Sequence, residues 1–343
     1  MYPAQPHRDM LAHGMYSWRG KEPAGMYLVL RFLALVLALV VGLTACTQAA
    51  PRAAAPARQA PAVEQAAFPV TIIDDLGRSV RVEKLPQRIV STAPSNTEIL
   101  FALGLNDRIV AVTDFCDYPE EARAKPKIGG MKPSVEKIVS FAPDLVVAST
   151  INPQDLIQQL ESSKIPVVIW GPKDFAGIMR NIEQTGVITG TAERAKRITA
   201  GMKDRIDAVA AKARQATAQP RVFFEVDATD PSKPFTAGPG SFVDAMITLA
   251  GGQNIAAGAS SQWPQLSLEE LVKADPEIII LSDYAYGVTP ESVARRPGWA
   301  NLSAVKRGAI KPIEDPNIVV RPGPRIVDGL ELLARFIQPD VFR

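Results

Sequence analysis

A pattern that returns after 133 residues (Ser134 to Ser267) constrains the fold of this chain more than any other feature. Ser134-Val135-Glu136-Lys137-Ile138-Val139 leads to Pro143-Asp144-Leu145-Val146-Val147, and Ser267-Leu268-Glu269-Glu270-Leu271-Val272 leads in the same register to Pro276-Glu277-Ile278-Ile279-Ile280. A looser echo relates Ala93-Pro94-Ser95-Asn96 through Leu103-Gly104 to Ala237-Gly238-Pro239-Gly240-Ser241 through Leu249-Ala250-Gly251. Repeated supersecondary units of this kind imply two similar lobes.

Within each lobe the periodicity switches between helix and strand. Val70 to Val82 alternates and carries turn residues at Asp75 to Gly77, so it is predicted as a hairpin. Arg88 to Ser91, Arg108 to Thr113 and Asp144 to Ala148 are predicted strands, while Asn96 to Leu103 and Ser134 to Phe141 are predicted helices. Short apolar strands between helices point to parallel sheets buried on both faces. Ala192 to Thr217 has no proline and sets Ala195, Ile198, Met202, Ile206, Val209 and Ala213 at helical spacing. As one helix it would be about 39 Å long, enough to join the lobes as a stiff strut. The expected fold is therefore α/β: two similar lobes with parallel-rich sheets, residues 68–190 and 218–343, joined by one helix over 191–217 and leaving a cleft between them.

The N-terminal end carries a different signal. Arg31 precedes an unbroken apolar run from Phe32 to Val41, and Leu43-Thr44-Ala45-Cys46 follows. The run is short for a span, which needs about 20 residues, and suits the core of a signal peptide over residues 1–45. Small residues before Cys46 resemble a lipobox, which makes Cys46 the expected lipidation site and the protein an extracytoplasmic one tied to a membrane by a lipid anchor. Residues 46–67, rich in Ala, Pro and Gln, are expected to act as a flexible tether.

Composition then excludes several functions. The net charge of +2 lies entirely in residues 1–45, leaving zero for the remainder, and nothing favours a nucleic-acid partner. With Cys46 lipidated, Cys116 has no disulfide partner within the chain. Both histidines, His7 and His13, precede Cys46, so the mature chain lacks an imidazole base or metal ligand. No phosphate-binding glycine loop follows a strand, since Gly238-Pro239-Gly240 is interrupted by proline. A carboxylate-pair hydrolase is the enzyme alternative that this leaves open; otherwise no catalytic residue and no cofactor are expected.

Arg88-Ile89-Val90-Ser91 followed by Ala93-Pro94-Ser95-Asn96-Thr97-Glu98-Ile99-Leu100-Phe101-Ala102-Leu103-Gly104 resembles the periplasmic binding proteins for cobalamin, ferric siderophores and haem. Cys116-Asp117-Tyr118-Pro119, Ala250-Gly251-Gly252-Gln253-Asn254-Ile255, Trp263-Pro264-Gln265 and Arg321-Pro322-Gly323-Pro324-Arg325-Ile326 extend the likeness over about Val70 to Pro339. The resemblance implies two α/β lobes on a single helix. It also implies a monomer that hands a small-molecule ligand to the permease of an ABC importer with its ATPase. Asp117-Tyr118-Pro119 and Trp263-Pro264-Gln265 look most like the cobalamin branch, so a corrinoid (cobalamin or cobinamide) is the expected cargo, with haem or a ferric siderophore as the alternative. By position Phe115, Trp263, Asn317 and Arg321 would face it, whereas Gly130, Ser149 and Ile318 stand where that branch carries tryptophan. Glu136 and Glu269, at equivalent places in the repeat, would dock the two lobes on the permease.

Each of these residues also has a plainer use. Trp263 can pack on the helix that follows it, Trp170 and Trp299 are expected to be packing residues, and Cys116 is expected to be a small buried group rather than a cobalt ligand. Tyr284 and Tyr286 either reach the cleft or cover the sheet. Arg325 is expected to pin the last helix, and Arg321, on the loop before it, is the better ligand candidate. First-turn carboxylates at Glu136 and Glu269 also stabilise their helices through the dipole.

Overall fold

The computed structural model describes residues 68–343. The expected signal peptide, the tether, Cys46 and both histidines lie outside the described residues.

The hairpin forms from β1 (Val70–Ile73) and β2 (Ser79–Val82), paired antiparallel, with Gly77 in the left-handed region at φ 75°. Asp74 closes the turn: its side chain accepts the backbone N–H groups of Leu76 and Arg78, each at 3.0 Å. Turn residues that bond their own backbone are favoured here for that reason.

The first sheet is wholly parallel in the order β4-β3-β5-β6, made of β3 (Ile89–Ser91), β4 (Ile109–Val112), β5 (Leu145–Ser149) and β6 (Val167–Trp170). Helices α1 (Pro94–Ala102), α2 (Val135–Ser140), α3 (Gln154–Ser162) and α4 (Phe175–Thr189) connect and cover it. Its strands are buried along nearly their whole length, which is why they read as unbroken apolar runs rather than alternating ones.

Helix α5 (Ala192–Ala213) follows, about 33 Å long at 1.5 Å per residue. It stops four residues short of the expected Thr217, because the chain tightens into turns at Gln215 and Ala216 and then meets Pro220. Gly186 lets α5 approach α4 closely: a Cβ at that position would lie 2.5 Å from the Ala195 Cβ.

The second sheet runs β11-β10-β7-β8, with β9 also on β7. Its strands are β7 (Arg221–Asp227), β8 (Phe235–Thr236), β9 (Gln253–Asn254), β10 (Ile278–Leu281) and β11 (Ile310–Pro312), and only β8 pairs antiparallel. Helices α6 (Phe242–Leu249), α7 (Leu268–Ala274), α8 (Pro290–Ala294), α9 (Ser303–Lys306), α10 (Asn317–Val320) and α11 (Ile326–Ile337) complete this lobe.

The repeat is visible in the fold. Ser134 caps α2 by accepting the Lys137 N–H, and Ser267 caps α7 by accepting the Glu270 N–H, both at 3.2 Å. Such caps are worth about 1 kcal/mol each. Gly104 and Gly251, which end α1 and α6 in the looser echo, take matching φ values of 77° and 79°. One continuous core joins the lobes: Leu100, Val147 and Ile182 on the first side, Val222, Met246 and Leu330 on the second, with Met202 and Val209 of α5 between them. The other face of each sheet has a core of its own, around Ile138 and Leu160 in one lobe and around Trp299 and Leu271 in the other. Arg205 further fixes α5 to α11, reaching Glu331 at 2.7 Å and Asp328 at 2.6 Å. No helix among the described residues is long and apolar enough to cross a membrane.

Candidate functional site

The C-terminal ends of β3, β5 and β6 open onto the gap between the lobes, where a cavity of about 360 Å³ lies. The first lobe lines it with Ser95, Asn96, Ser149, Thr150 and Trp170, and the second with Ser241, Phe242, Gln262, Trp263 and Arg321. This is the position at which open α/β sheets bind ligands.

Sequence explains how these groups are held. Asn96 donates to the Ala148 carbonyl at 2.8 Å and so anchors the start of α1 to β5. Ala93, the residue before α1, offers no side-chain cap, and the helix opens at the cleft wall on Pro94, which has no N–H to satisfy. On the other side, residues 262–265 are strapped along β8: Gly238 N–H bonds the Gln262 carbonyl and Thr236 N–H the Pro264 carbonyl, each at 2.9 Å. Gly238 is required for that approach, since a Cβ there would stand 2.3 Å from the Ser261 carbonyl oxygen. The strap fixes Trp263 on the rim of the cavity, 46% exposed.

Of the four residues expected to meet a ligand, Trp263 and Arg321 border this cavity, and Phe115 and Asn317 do not. Phe115 is 49% exposed, with its ring against Gly130, where a Cβ would lie 3.3 Å from ring atom Cε2, and only its carbonyl reaches a cavity residue, Arg321. Asn317 opens α10, its backbone N–H bonded to Asp315 at 3.0 Å. Ser149 lines the cavity, whereas Ile318 packs against the core and its carbonyl faces Gly329.

Arg321 is already engaged. Its Nη1 donates to Glu98 at 3.1 Å and to Asp117 at 2.6 Å, and its Nη2 to the Phe115 carbonyl at 3.3 Å, leaving the side chain 13% exposed. Arg325 donates to the same Glu98 and to Asp315, and its guanidinium stacks on the Tyr118 ring at 3.7 Å. Burial works to raise the Asp117 carboxyl, but the hydrogen bond and charge of Arg321 outweigh it and hold it below its ordinary value. Asp117 and Tyr118, which the sequence marked as part of a ligand motif, thus build a clasp between the lobes. A second cavity, of about 590 Å³, lies on the far side of that clasp between Phe101, Tyr118 and Arg194.

Trp299 is buried edge-on against Phe223 at 6.0 Å, and Cys116 is buried with its Sγ 3.1 Å from the Thr97 and Thr113 hydroxyls. Trp170 is buried and donates to Thr185 at 3.1 Å, yet it also borders the cavity. Tyr286 projects from the surface, 84% exposed, and neither it nor Tyr284 lines the cleft. Among the cleft residues that the sequence did not mark, with Ser241, Phe242 and Gln262, is Asn181, on α4. Its one signal was a polar residue amid the apolar face of a long helix.

What this wall can do is bind. It offers aromatic planes, hydroxyls and amides, and Arg321, the one charged residue among the described residues that line it, is neutralised by neighbouring acids. Residues 89–316 match the model of a family described as periplasmic binding protein. The chain belongs to that family. An uncharacterised ABC transporter substrate-binding lipoprotein of Bacillus subtilis (strain 168) is 35% identical to this periplasmic binding protein over 94% of this chain and 99% of the relative. A cobalamin-binding protein of Halobacterium salinarum is 33% identical over 89% of this chain and 84% of the relative. Among solved structures, the periplasmic haem-binding protein of Roseiflexus sp. RS-1 in its apo form superposes with a TM-score of 0.66 at 29% identity, covering 75% of this chain and 99% of that one. The chain is accordingly the substrate-binding component of an ABC transporter of the cobalamin, haem and siderophore class, not an enzyme, and what it binds is cargo rather than cofactor.

Proposed function

We propose that this binding protein captures a corrinoid in the interlobe cleft and delivers it to an ABC permease. The observation that carries this reading is the chemistry of the cleft wall. Among the described residues that line it there is no histidine, tyrosine, methionine or cysteine to take an axial position on haem iron. Nor does the wall hold a cation free to meet a carboxylate or a catecholate, since Glu98 and Asp117 neutralise Arg321. A neutral ring fringed with amides needs neither. Trp263, Trp170 and Phe242 supply flat apolar area, while Ser95, Ser149, Ser241 and Gln262 supply hydrogen-bonding groups for a polar rim. The cavity is smaller than a whole corrinoid, so the ring enters by one edge and the remainder rests in the open mouth. The similarity to the Halobacterium protein supports the same cargo. Purifying the mature protein from a corrinoid-rich culture and recording its visible spectrum tests the assignment: a corrinoid band should co-purify.

Lipidation at Cys46, outside the described residues, belongs to the same proposal and is supported by the lipobox and by the lipoprotein name of the Bacillus relative. So does docking through Glu136 and Glu269. Both carboxylates are exposed near the starts of α2 and α7, and neither enters an ion pair among the described residues. One turn further on each helix exposes a valine, Val139 and Val272. Each lobe thus offers an acid with an apolar neighbour, a pairing suited to two related basic pockets on one partner.

A further inference from the structure

At the inner end of the cleft, where β6 gives way to α4, one side-chain amide has its nitrogen bonded and its oxygen without a partner. Asn181 is 1% exposed and borders the cavity with Trp170, Gly171 and Pro172. Its Nδ2 donates to Asp75 Oδ2 at 2.7 Å, whereas its Oδ1 is buried without a partner among the described residues.

The direction of this amide is fixed by Asp75, which reaches over from the β1-β2 turn. Asp75 Oδ2 also accepts the Gly171 N–H at 2.7 Å, and its Oδ1 accepts from Arg180 at 3.3 Å. An ionised carboxylate only accepts, so the NH2 end of Asn181 must face it; turning the amide over would set two oxygens against each other. The Thr185 hydroxyl one turn on is occupied: it donates to the Asn181 backbone carbonyl at 2.6 Å while accepting from Trp170. Nδ2 keeps a second hydrogen, but Oδ1 is the atom of this amide that has no partner at all among the described residues.

A buried acceptor without a donor is unfavourable, and one that borders a ligand cavity is relieved by a guest that brings an N–H. We propose that Asn181 is a specificity-determining residue: Oδ1 accepts from a neutral N–H donor of the cargo, a side-chain amide in the corrinoid reading on which this rests. Asp75 makes the choice sharper. Its side chain is nearly buried, so a carboxylate on the cargo would face both an acceptor and a second negative charge. Asn181 thereby selects the amide form of a cargo over its hydrolysed form.

The test is a titration of cyanocobalamin and its isomeric mono-acids, in each of which one side-chain amide is replaced by a carboxylate, into the wild-type protein and Asn181→Ala. The wild type should bind at least one mono-acid on the order of tenfold more weakly than the parent. Asn181→Ala should narrow that gap, with the Asp75 charge accounting for what is left, while binding the parent more weakly. Equal wild-type affinities for the parent and every mono-acid overturn the proposal, and so does a gap that persists unchanged in the variant, which marks Asn181 as a packing residue. Should the variant fail to fold, the wild-type comparison alone decides. A wild type that binds no corrinoid at all is a different outcome: it removes the corrinoid reading, and with it the amide assigned to Asn181.

Discussion

Glu98 and Arg325 form a two-pronged ion pair between the lobes, with Nε on Oε2 at 2.9 Å and Nη2 on Oε1 at 2.7 Å. Glu98 sits on the first helix of one lobe with its side chain 2% exposed, and Arg325 precedes the last helix of the other, 14% exposed. Arg321 shares the same carboxylate. Removing one partner of a buried pair costs about 3–5 kcal/mol where the other charge is left uncompensated, but here Arg321 keeps Asp117 and Arg325 keeps Asp315. Glu98→Ala should therefore lower the unfolding free energy by less, about 2 kcal/mol in chemical denaturation, for the charge-assisted hydrogen bonds lost. A loss below about 1 kcal/mol, the range of a surface pair, would mean that solvent already screens the clasp.

Trp263 and Phe115 are separated by the same geometry. The strap along β8 holds Trp263 on the cavity rim, whereas Phe115 lies against Gly130. Trp263→Ala should weaken corrinoid binding by on the order of 2 kcal/mol, and Phe115→Ala by clearly less. Calorimetry of the two variants reads the order; a reversed order would move the cargo out of the cavity and onto its outer lip.

A pH dependence follows from Asp283, buried beside Glu225, whose carboxylate is gripped by Arg296 at 2.5 and 2.8 Å. Burial first, then the Glu225 charge, push the Asp283 carboxyl up to about 7, against the pull of Arg296. In the unfolded chain an Asp titrates near 3.9. Between those values the folded state keeps a proton that the unfolded state has released, so this group's contribution to stability falls as pH rises from about 4 to about 7 and is flat above. Asp283→Asn should remove that slope. Thermal unfolding of both proteins between pH 4.5 and 8 checks it: the gap in Tm should shift in favour of the variant as pH rises, and a constant gap would contradict the raised value.

Replacing both Glu136 and Glu269 by Gln should leave corrinoid affinity within about twofold, since neither residue borders the cleft. Association with the permease in membranes and uptake should fall, most clearly at low salt, where charge pairing is least screened. Unchanged uptake would leave these acids with their helix-dipole role alone.

How much of this could be read beforehand depended on whether a signal was local. The serine caps of α2 and α7, the glycines ending α1 and α6, and the buried strands β5 and β10 are set by neighbours a few residues apart, and the sequence displays them. The repeat extended that to two lobes and to the helix between them. Arg321 shows the limit. Its loop position marked it for the cleft, but its partners Glu98 and Asp117 lie more than 200 residues earlier, and no periodicity reveals such a pairing. Tyr118 was legible as part of a motif, yet only the fold shows that its ring carries Arg325. Asn181 escaped for a similar reason: its meaning depends on Asp75, which reaches it from a distant turn.

The most direct test is calorimetric titration of the mature protein with cobinamide and with haemin under the same conditions. A neutral, amide-lined cleft predicts one-to-one binding of cobinamide with a dissociation constant of about 1 μM or tighter, corresponding to roughly 8 kcal/mol, and much weaker uptake of haemin. Tight haemin binding without corrinoid affinity would contradict it.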